Sequence, residues 1–153
     1  MRKFIVISIV LLMLAGFGIT SSAVTLWADQ TIDVGTLTVE IDVNGDLVVT
    51  YAITAPWVLG ETHLYVGTAA PKKSAPGQFP YGPEDAVGGV YTIDLSIFEG
   101  VFPLYIAAQA EVTNPTEIDP DTGLPIEETA WAEGDRIRPG KNWATYFEFE
   151  VVE

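Results

Sequence analysis

Glu61 and His63 are the residues of this chain whose types and spacing come closest to an acid/base pair. Because they stand two positions apart in a predicted strand, their side chains share one face. A carboxylate beside an imidazole is the minimum for proton transfer or for part of a metal site. His63 is the one histidine of the sequence, and either site needs partners that this spacing does not supply. The alternative is a structural histidine that hydrogen-bonds a cross-strand glutamate or a loop carbonyl.

Carboxylates also gather in the segment from Asp119 to Gly123, which reads Asp-Pro-Asp-Thr-Gly. Calcium prefers carboxylate and carbonyl oxygens from loops of this kind, although the segment lacks the final glutamate of an EF-hand loop. We expect that no cofactor is required and that Asp119 and Asp121 are the residues able to bind Ca²⁺. The alternative is a plain, solvated hairpin turn.

Aromatic side chains beside carboxylates form a third candidate site. Trp131 lies in the run Glu-Glu-Thr-Ala-Trp-Ala-Glu. An exposed flat ring stacks on the apolar face of a sugar, and neighbouring acids accept protons from its hydroxyls. The alternative is a tryptophan at the edge of the core, which is where we expect Trp143. The predicted ligand-binding residues are Trp57, Glu61, His63, Tyr65, Tyr81 and Trp131, and we expect Trp57, Tyr65, Tyr81 and Trp131 to be exposed.

Composition excludes several classes of function. The absence of cysteine removes disulfide scaffolds, thiolate zinc sites and cysteine nucleophiles. A formal net charge of −14 opposes nucleic-acid binding, which needs clustered lysine and arginine. Ser74 and Ser96 are the only serines after residue 22, and neither stands in a nucleophile-elbow motif. We therefore predict no catalytic residues and no enzyme.

Alternation of apolar and polar residues predicts an all-β chain. Residues 36–43 place Leu37, Val39, Ile41 and Val43 on one face, and residues 46–54 alternate in the same way. Asn44-Gly45 between them predicts a hairpin with a two-residue type I′ turn.

Further strands are predicted at residues 61–66, 90–98, 101–110, 126–132 and 143–152, with a long Pro/Gly-rich loop at 67–89. Such a series indicates a two-sheet β-sandwich, either Ig-like or jelly-roll. The predicted core contains Leu37, Val39, Ile41, Val49, Tyr51, Leu64, Val66, Ile93, Leu95, Ile106, Phe147 and Phe149.

The first residues are typical of a secretory signal peptide. Arg2 and Lys3 precede an apolar run, and Ser21-Ser22-Ala23 offers small residues for cleavage. The run is shorter than the roughly 20 residues that a spanning helix needs, although an uncleaved anchor is the alternative. We predict a signal peptide at residues 1–23 and a single β-sandwich domain at 24–153, with no stable membrane insertion after cleavage.

Five short motifs between Trp57 and Phe149 resemble a family of secreted bacterial and archaeal β-domains of uncharacterised role. They are residues 61–66 (ETHLYV), 76–81 (PGQFPY), 105–110 (YIAAQA), 128–134 (ETAWAEG) and 140–147 (GKNWATYF). The resemblance implies export and a β domain, and it assigns no activity.

The sequence therefore predicts a secreted or cell-surface module without enzymatic activity, which serves surface attachment, assembly or ligand recognition. Its expected partners are an extracellular protein, a polysaccharide or a second copy of the chain, and not nucleic acid. A carbohydrate-binding module is one alternative. A carboxylate-based hydrolase is another, and it requires two acids that face each other across a cleft.

Overall fold

The computed structural model describes residues 20–151, so the predicted signal peptide lies outside the described residues except for its last four positions. Within that range there are nine strands and three short 3-10 helices. The strands are β1 (Ser21–Ala28), β2 (Ile32–Ile41), β3 (Asp46–Ile53), β4 (Val58–Gly67), β5 (Val90–Asp94), β6 (Leu104–Ile118), β7 (Pro125–Ala132), β8 (Asp135–Arg136) and β9 (Thr145–Phe149). The 3-10 helices are Pro76–Gln78, Pro83–Asp85 and Leu95–Phe98.

The strands form an all-β sandwich, as predicted. One layer has the order β5-β3-β2-β1, and all of its neighbours are antiparallel. In the other layer β6 pairs with β4 along residues 105–113, while β7 pairs with the C-terminal part of β6 and β9 with its first three residues. Hydrogen bonding between β1 and β7 joins the two layers on one side. Among residues 20–151 no helix has the length and apolar character needed to cross a membrane.

The core lies between the inward faces of the two layers. Leu37 and Val49 from the first layer and Leu64 and Ile106 from the second are fully buried in one cluster. All of the predicted core residues are buried except Ile41 and Leu95, which are half buried and pack against the cluster. Alternation along single strands was therefore sufficient to identify the inward faces.

The β2-β3 hairpin forms where predicted, but its turn is different. Gly45 N–H donates to the Asp42 carbonyl at 3.1 Å, and Asp42 N–H donates to the Asp46 carbonyl at 2.9 Å. The loop thus contains Val43, Asn44 and Gly45, with Gly45 at φ 82°, which is the pattern of a type I turn followed by a left-handed residue. The predicted two-residue turn was wrong. Val43 consequently leaves the strand and is 86% exposed instead of buried.

Several predicted strands have different bounds, and β6 runs from Leu104 to Ile118 instead of over residues 101–110. The predicted strand at residues 90–98 ends at Asp94, whose Oδ1 accepts a 2.9 Å hydrogen bond from the Ser96 N–H and caps the 3-10 helix Leu95–Phe98. Ile97 is therefore 57% exposed. At the C-terminal end β9 begins at Thr145, so Trp143 precedes the strand. Trp143 was expected in the main core, but it packs against a second, smaller apolar cluster.

Candidate functional site

Four residues from four neighbouring strands stand in one line on the outer surface, across the junction where β1 of the first layer pairs with β7 of the second. Trp27 of β1 pairs with Trp131 of β7, Trp131 pairs with Gln109 of β6, and Gln109 pairs with His63 of β4. Their neighbours along each strand are buried, so these four side chains point outward. Adjacent strands lie about 4.8 Å apart, and this cross-strand row is therefore about 14 Å long.

A bulge places Trp27 at the end of the row. The β1-β2 register shifts between Leu26 and Trp27, opposite Gly35, whose φ is +150°. A Cβ on Gly35 would overlap the backbone carbonyl oxygen of Ala52, and positive φ is costly for residues with a side chain. Glycine at position 35 thus permits the close approach of β2 to β3 beside the bulge.

Two loop segments cover the middle of this face and form a second apolar cluster. Ala107, Trp131 and Ala144 are its buried members, and Phe79 and Trp143 pack against them. The rings of Phe79 and Trp131 meet edge to face with centroids 6.0 Å apart. Trp131 is consequently 5% exposed, and the expectation that its side chain is exposed was wrong.

Cavities flank the pair formed by Trp131 and Trp143. The first has a volume of about 280 Å³, and its walls also include Trp27, Gln30, Glu133 and Arg136. The second also has a volume of about 280 Å³, and its walls include Gln109, Glu111, Thr129 and Asn142 beside the same two tryptophans. We call the two cavities together the tryptophan groove.

The second cavity has a floor of hydrogen-bonded polar side chains. Gln109 Nε2 donates to Glu111 Oε1 at 2.6 Å, and the hydroxyl of Thr129 donates to the same carboxylate at 3.2 Å. The amide oxygen of Gln109 is then the acceptor toward His63, whose Nδ1 lies 3.0 Å away. His63 is thus held by a cross-strand glutamine, and the nearby Glu61 is exposed.

The first cavity contains a cation, Arg136, and two of the five N–H donors of its guanidinium have partners. Arg136 Nη1 donates to the Asn142 carbonyl at 3.2 Å, and Nη2 donates to Gln30 Oε1 at 3.1 Å. Glu133 is exposed on the same wall. The cavity therefore offers a carboxylate acceptor, aromatic surface and a guanidinium with N–H donors that are free among the described residues. The guanidinium also links Gln30 to the segment that contains Trp143.

The indole N–H of Trp131, a residue that lines both cavities, has no hydrogen-bond partner among the described residues. Within residues 20–151 its side chain has no hydrogen-bond partner, and no buried side-chain nitrogen or oxygen in that range lacks one. The small accessible fraction of Trp131 must therefore include Nε1, since this atom is a hydrogen-bond donor. A residue that is nearly buried and lines both cavities thus keeps one hydrogen-bond donor available.

The remaining predicted ligand contacts lie elsewhere. Trp57 and Tyr81 are half buried against the main core. Tyr81 exchanges two backbone hydrogen bonds with Leu64 of β4, at 2.9 and 3.2 Å. Tyr65 lines a separate cavity of about 300 Å³ with Phe79, Lys72 and Lys73, and its hydroxyl donates to the Ala69 carbonyl at 2.6 Å. Burial raises the pKa of Tyr65 above its ordinary value.

Asp119 and Asp121 lie in the β6-β7 turn. Asp119 Oδ1 accepts a 2.8 Å hydrogen bond from the Asp121 N–H, and Gly123 N–H donates to the Asp119 carbonyl at 2.8 Å. In the described part of the chain no group of three or more His, Cys, Asp or Glu side chains is arranged to hold a metal. Calcium at Asp119 and Asp121 stays a prediction from the sequence.

Sequence reasoning placed Trp131 in a site but did not identify its neighbours Trp27, Gln109, Glu111 and Trp143. Three of them have a local signal, because Trp27 alternates with buried Leu26 and Ala28, and Gln109 and Glu111 are polar residues in an apolar run. Their convergence depends on the register between strands, which cannot be determined from any one segment of the sequence.

Comparison of the chain with protein-family models, curated proteins and solved structures found no match.

Proposed function

We propose that the protein is a secreted, non-enzymatic carbohydrate-binding module whose ligand lies in the tryptophan groove. The observation that carries this proposal is the convergence of three of the four tryptophans of the chain, Trp27, Trp131 and Trp143, on one groove. Carboxylate, amide and hydroxyl groups line the same walls. Of the functions that the sequence leaves open, which are attachment, assembly, ligand recognition and hydrolysis, this arrangement favours recognition of a sugar. A protein that binds sugars in this groove would also attach to a polysaccharide surface.

The chemistry of the walls supports a sugar more than a purely apolar ligand. Aromatic faces bind the C–H faces of a sugar ring, and Glu111 and Glu133 accept hydrogen bonds from its hydroxyls. Ligand sites generally combine apolar walls with a few placed polar groups. The groove has this mixture, whereas the cavity beside Tyr65, Lys72 and Lys73 has mostly apolar walls.

The positions of the acids support binding without turnover. Hydrolysis of a glycosidic bond uses two carboxyl groups on either side of it. Glu111 is held by Thr129 and Gln109 in the second cavity, and Glu133 lines the first. Their separation into different cavities argues against one acid/nucleophile pair.

Electrophoresis through gels that contain soluble polysaccharides tests the proposal. We expect at least one neutral polysaccharide to retard the protein, and Trp27→Ala to abolish the retardation, because Trp27 is half exposed in the groove. Trp57→Ala is the matched control, since Trp57 packs against the main core. Thermal melting of both variants checks that each is folded.

Two results would overturn the proposal. One is equal migration in every gel of a panel of neutral and charged polysaccharides. The other is release of reducing sugar from a bound polysaccharide that Glu111→Gln abolishes, which would make the protein a hydrolase.

A further inference from the structure

The length of the tryptophan groove bears on the kind of sugar that it holds. Each cavity, at about 280 Å³, lies at the small end of the range for ligand pockets, about 300 to 1,000 Å³. Both share Trp131 and Trp143 as walls, and the part of the cross-strand row that lines them, from Trp27 to Gln109, is about 10 Å long. One sugar unit suits one cavity, so a ligand that uses both is a chain of sugars.

Charge restricts the ligand further. The protein has a formal net charge of −14, and Glu111 and Glu133 stand on the groove walls. Arg136 also lines the first cavity, so one cation stands against two carboxylates and the groove walls keep a net negative charge. A polymer with carboxylate, sulfate or phosphate groups would meet repulsion that an uncharged one does not.

Two polar groups can fix the orientation of such a chain. Trp131 Nε1 is a free donor, and the Glu111 carboxylate is an acceptor that two side chains hold in place. A sugar hydroxyl both donates and accepts. Because Glu111, Trp131 and Trp143 line the second cavity together, hydroxyls of a sugar bound there can pair with the donor and the acceptor while Trp143 packs on its ring.

We propose that the tryptophan groove binds a linear, uncharged oligosaccharide that crosses the strands and occupies both cavities, with Trp131 Nε1 donating to it and Glu111 accepting from it. This inference rests on the proposed function and adds to it the class of ligand, its direction across β1, β7 and β6, and the two residues that determine specificity.

Calorimetric titration with a length series from a neutral polysaccharide that retards the protein tests this inference. We expect affinity to rise at least tenfold from the monosaccharide to the oligomer that fills both cavities and then to level off. Trp131→Phe keeps an aromatic ring but removes the donor, and we expect it to weaken binding of the long oligomer by about tenfold. Glu111→Gln should weaken it by a similar factor, and Trp57→Phe is the control.

The outcomes separate this inference from the proposed function. Equal affinity for the monosaccharide and the long oligomer, tighter binding of a carboxylated polymer, or unchanged binding by folded Trp131→Phe would overturn the inference while Trp27→Ala still supports a sugar site. The length series uses the unaltered protein, so its result does not depend on whether Trp131→Phe folds. Absence of binding to every oligomer of the series would also overturn the inference alone, whereas the proposed function is overturned when no polysaccharide of the gel panel retards the protein.

Discussion

Tyr51 and Tyr91 place two phenol hydroxyls at the edge of the core that lies against β4. Tyr51 donates to the His63 carbonyl at 3.2 Å, and the Tyr91 hydroxyl lies 2.7 Å from the Thr62 hydroxyl. Their rings are in contact, with centroids 6.1 Å apart. These residues therefore connect β3 and β5 of the first layer to β4 of the second. They lie on the side of the sandwich opposite to the β1-β7 pairing, which joins the layers at the other side.

Burial raises the pKa of Tyr51 well above its ordinary value of 10.0, and burial likewise raises the pKa of Tyr91. Below pH 10 both phenols are neutral in the folded and unfolded states, so they add no pH dependence. Above pH 10 the unfolded chain loses these protons first, and the free energy of unfolding falls by up to about 1.4 kcal/mol per pH unit for each tyrosine.

We predict that Tyr51→Phe makes the alkaline loss of stability shallower by about 1.4 kcal/mol per pH unit. At neutral pH the same change should cost about 1 kcal/mol through the lost hydrogen bond. Urea unfolding between pH 8 and pH 11.5 measures both effects. Val49→Ala is the control, since it removes core volume without a titrating group and should lower the whole curve in parallel. An unchanged alkaline slope in Tyr51→Phe would contradict the prediction.

At the scale of strands, β1 links the two layers and also contains the predicted cleavage site. Ser21, Ser22 and Ala23 pair with Glu40, Val39 and Thr38 of β2. Cleavage after Ala23, as the sequence predicts, would remove three of the eight residues of β1. The remaining residues include Leu26 and Trp27, which pair with β7 and hold the groove together.

We predict that the exported protein begins at Val24 and that it is less stable than a chain beginning at Thr20. The loss of three register pairs should lower the free energy of unfolding by on the order of 2 kcal/mol. N-terminal sequencing of exported protein and urea unfolding of the two purified forms measure these outcomes. A start at Met1 in the membrane fraction would favour an anchor, and equal stabilities would show that residues 21–23 contribute nothing to β1.

Local patterns were sufficient to predict most strands and the inward faces. Leu64 and Phe147, for example, alternate with outward residues in segments that can be recognised one at a time. β1 was missed because its first three residues were assigned to the signal peptide. Val43 was assigned to the buried face because it fits the alternation of β2. It is in fact the extra residue of a three-residue turn, which shifts the β2-β3 register by one position.

The groove was harder to predict than the fold because it is built from non-local pairings. Trp27 and Trp131 are direct neighbours across β1 and β7, although more than a hundred positions separate them in the sequence. Trp143 was assigned to the core because the alternation of β9 extends back to it, and only the β9 boundary at Thr145 places it on the outer face. Neither the pairing of Trp27 with Trp131 nor the start of β9 at Thr145 can be predicted from sequence spacing alone.

At the scale of the whole molecule, the net charge of −14 acts on stability as well as on ligand choice. Like charges on a compact chain repel one another, and the unfolded chain relieves part of this repulsion. Salt shortens the range of the repulsion, from a Debye length of about 30 Å at 0.01 M to about 3 Å at 1 M. Any stabilisation by calcium must therefore be measured apart from this general screening.

We predict that sodium chloride raises the melting temperature of the protein through screening, and that millimolar calcium at constant ionic strength raises it further through Asp119 and Asp121. Binding to the folded state alone produces such a gain. Asp121→Asn should remove the calcium increment and keep the sodium chloride effect. Asp135→Asn is the matched control, because Asp135 is an exposed carboxylate of β8 and its loss changes the net charge equally. If the two variants respond alike to calcium, the ion acts through the overall charge, and the segment from Asp119 to Gly123 is a plain hairpin turn.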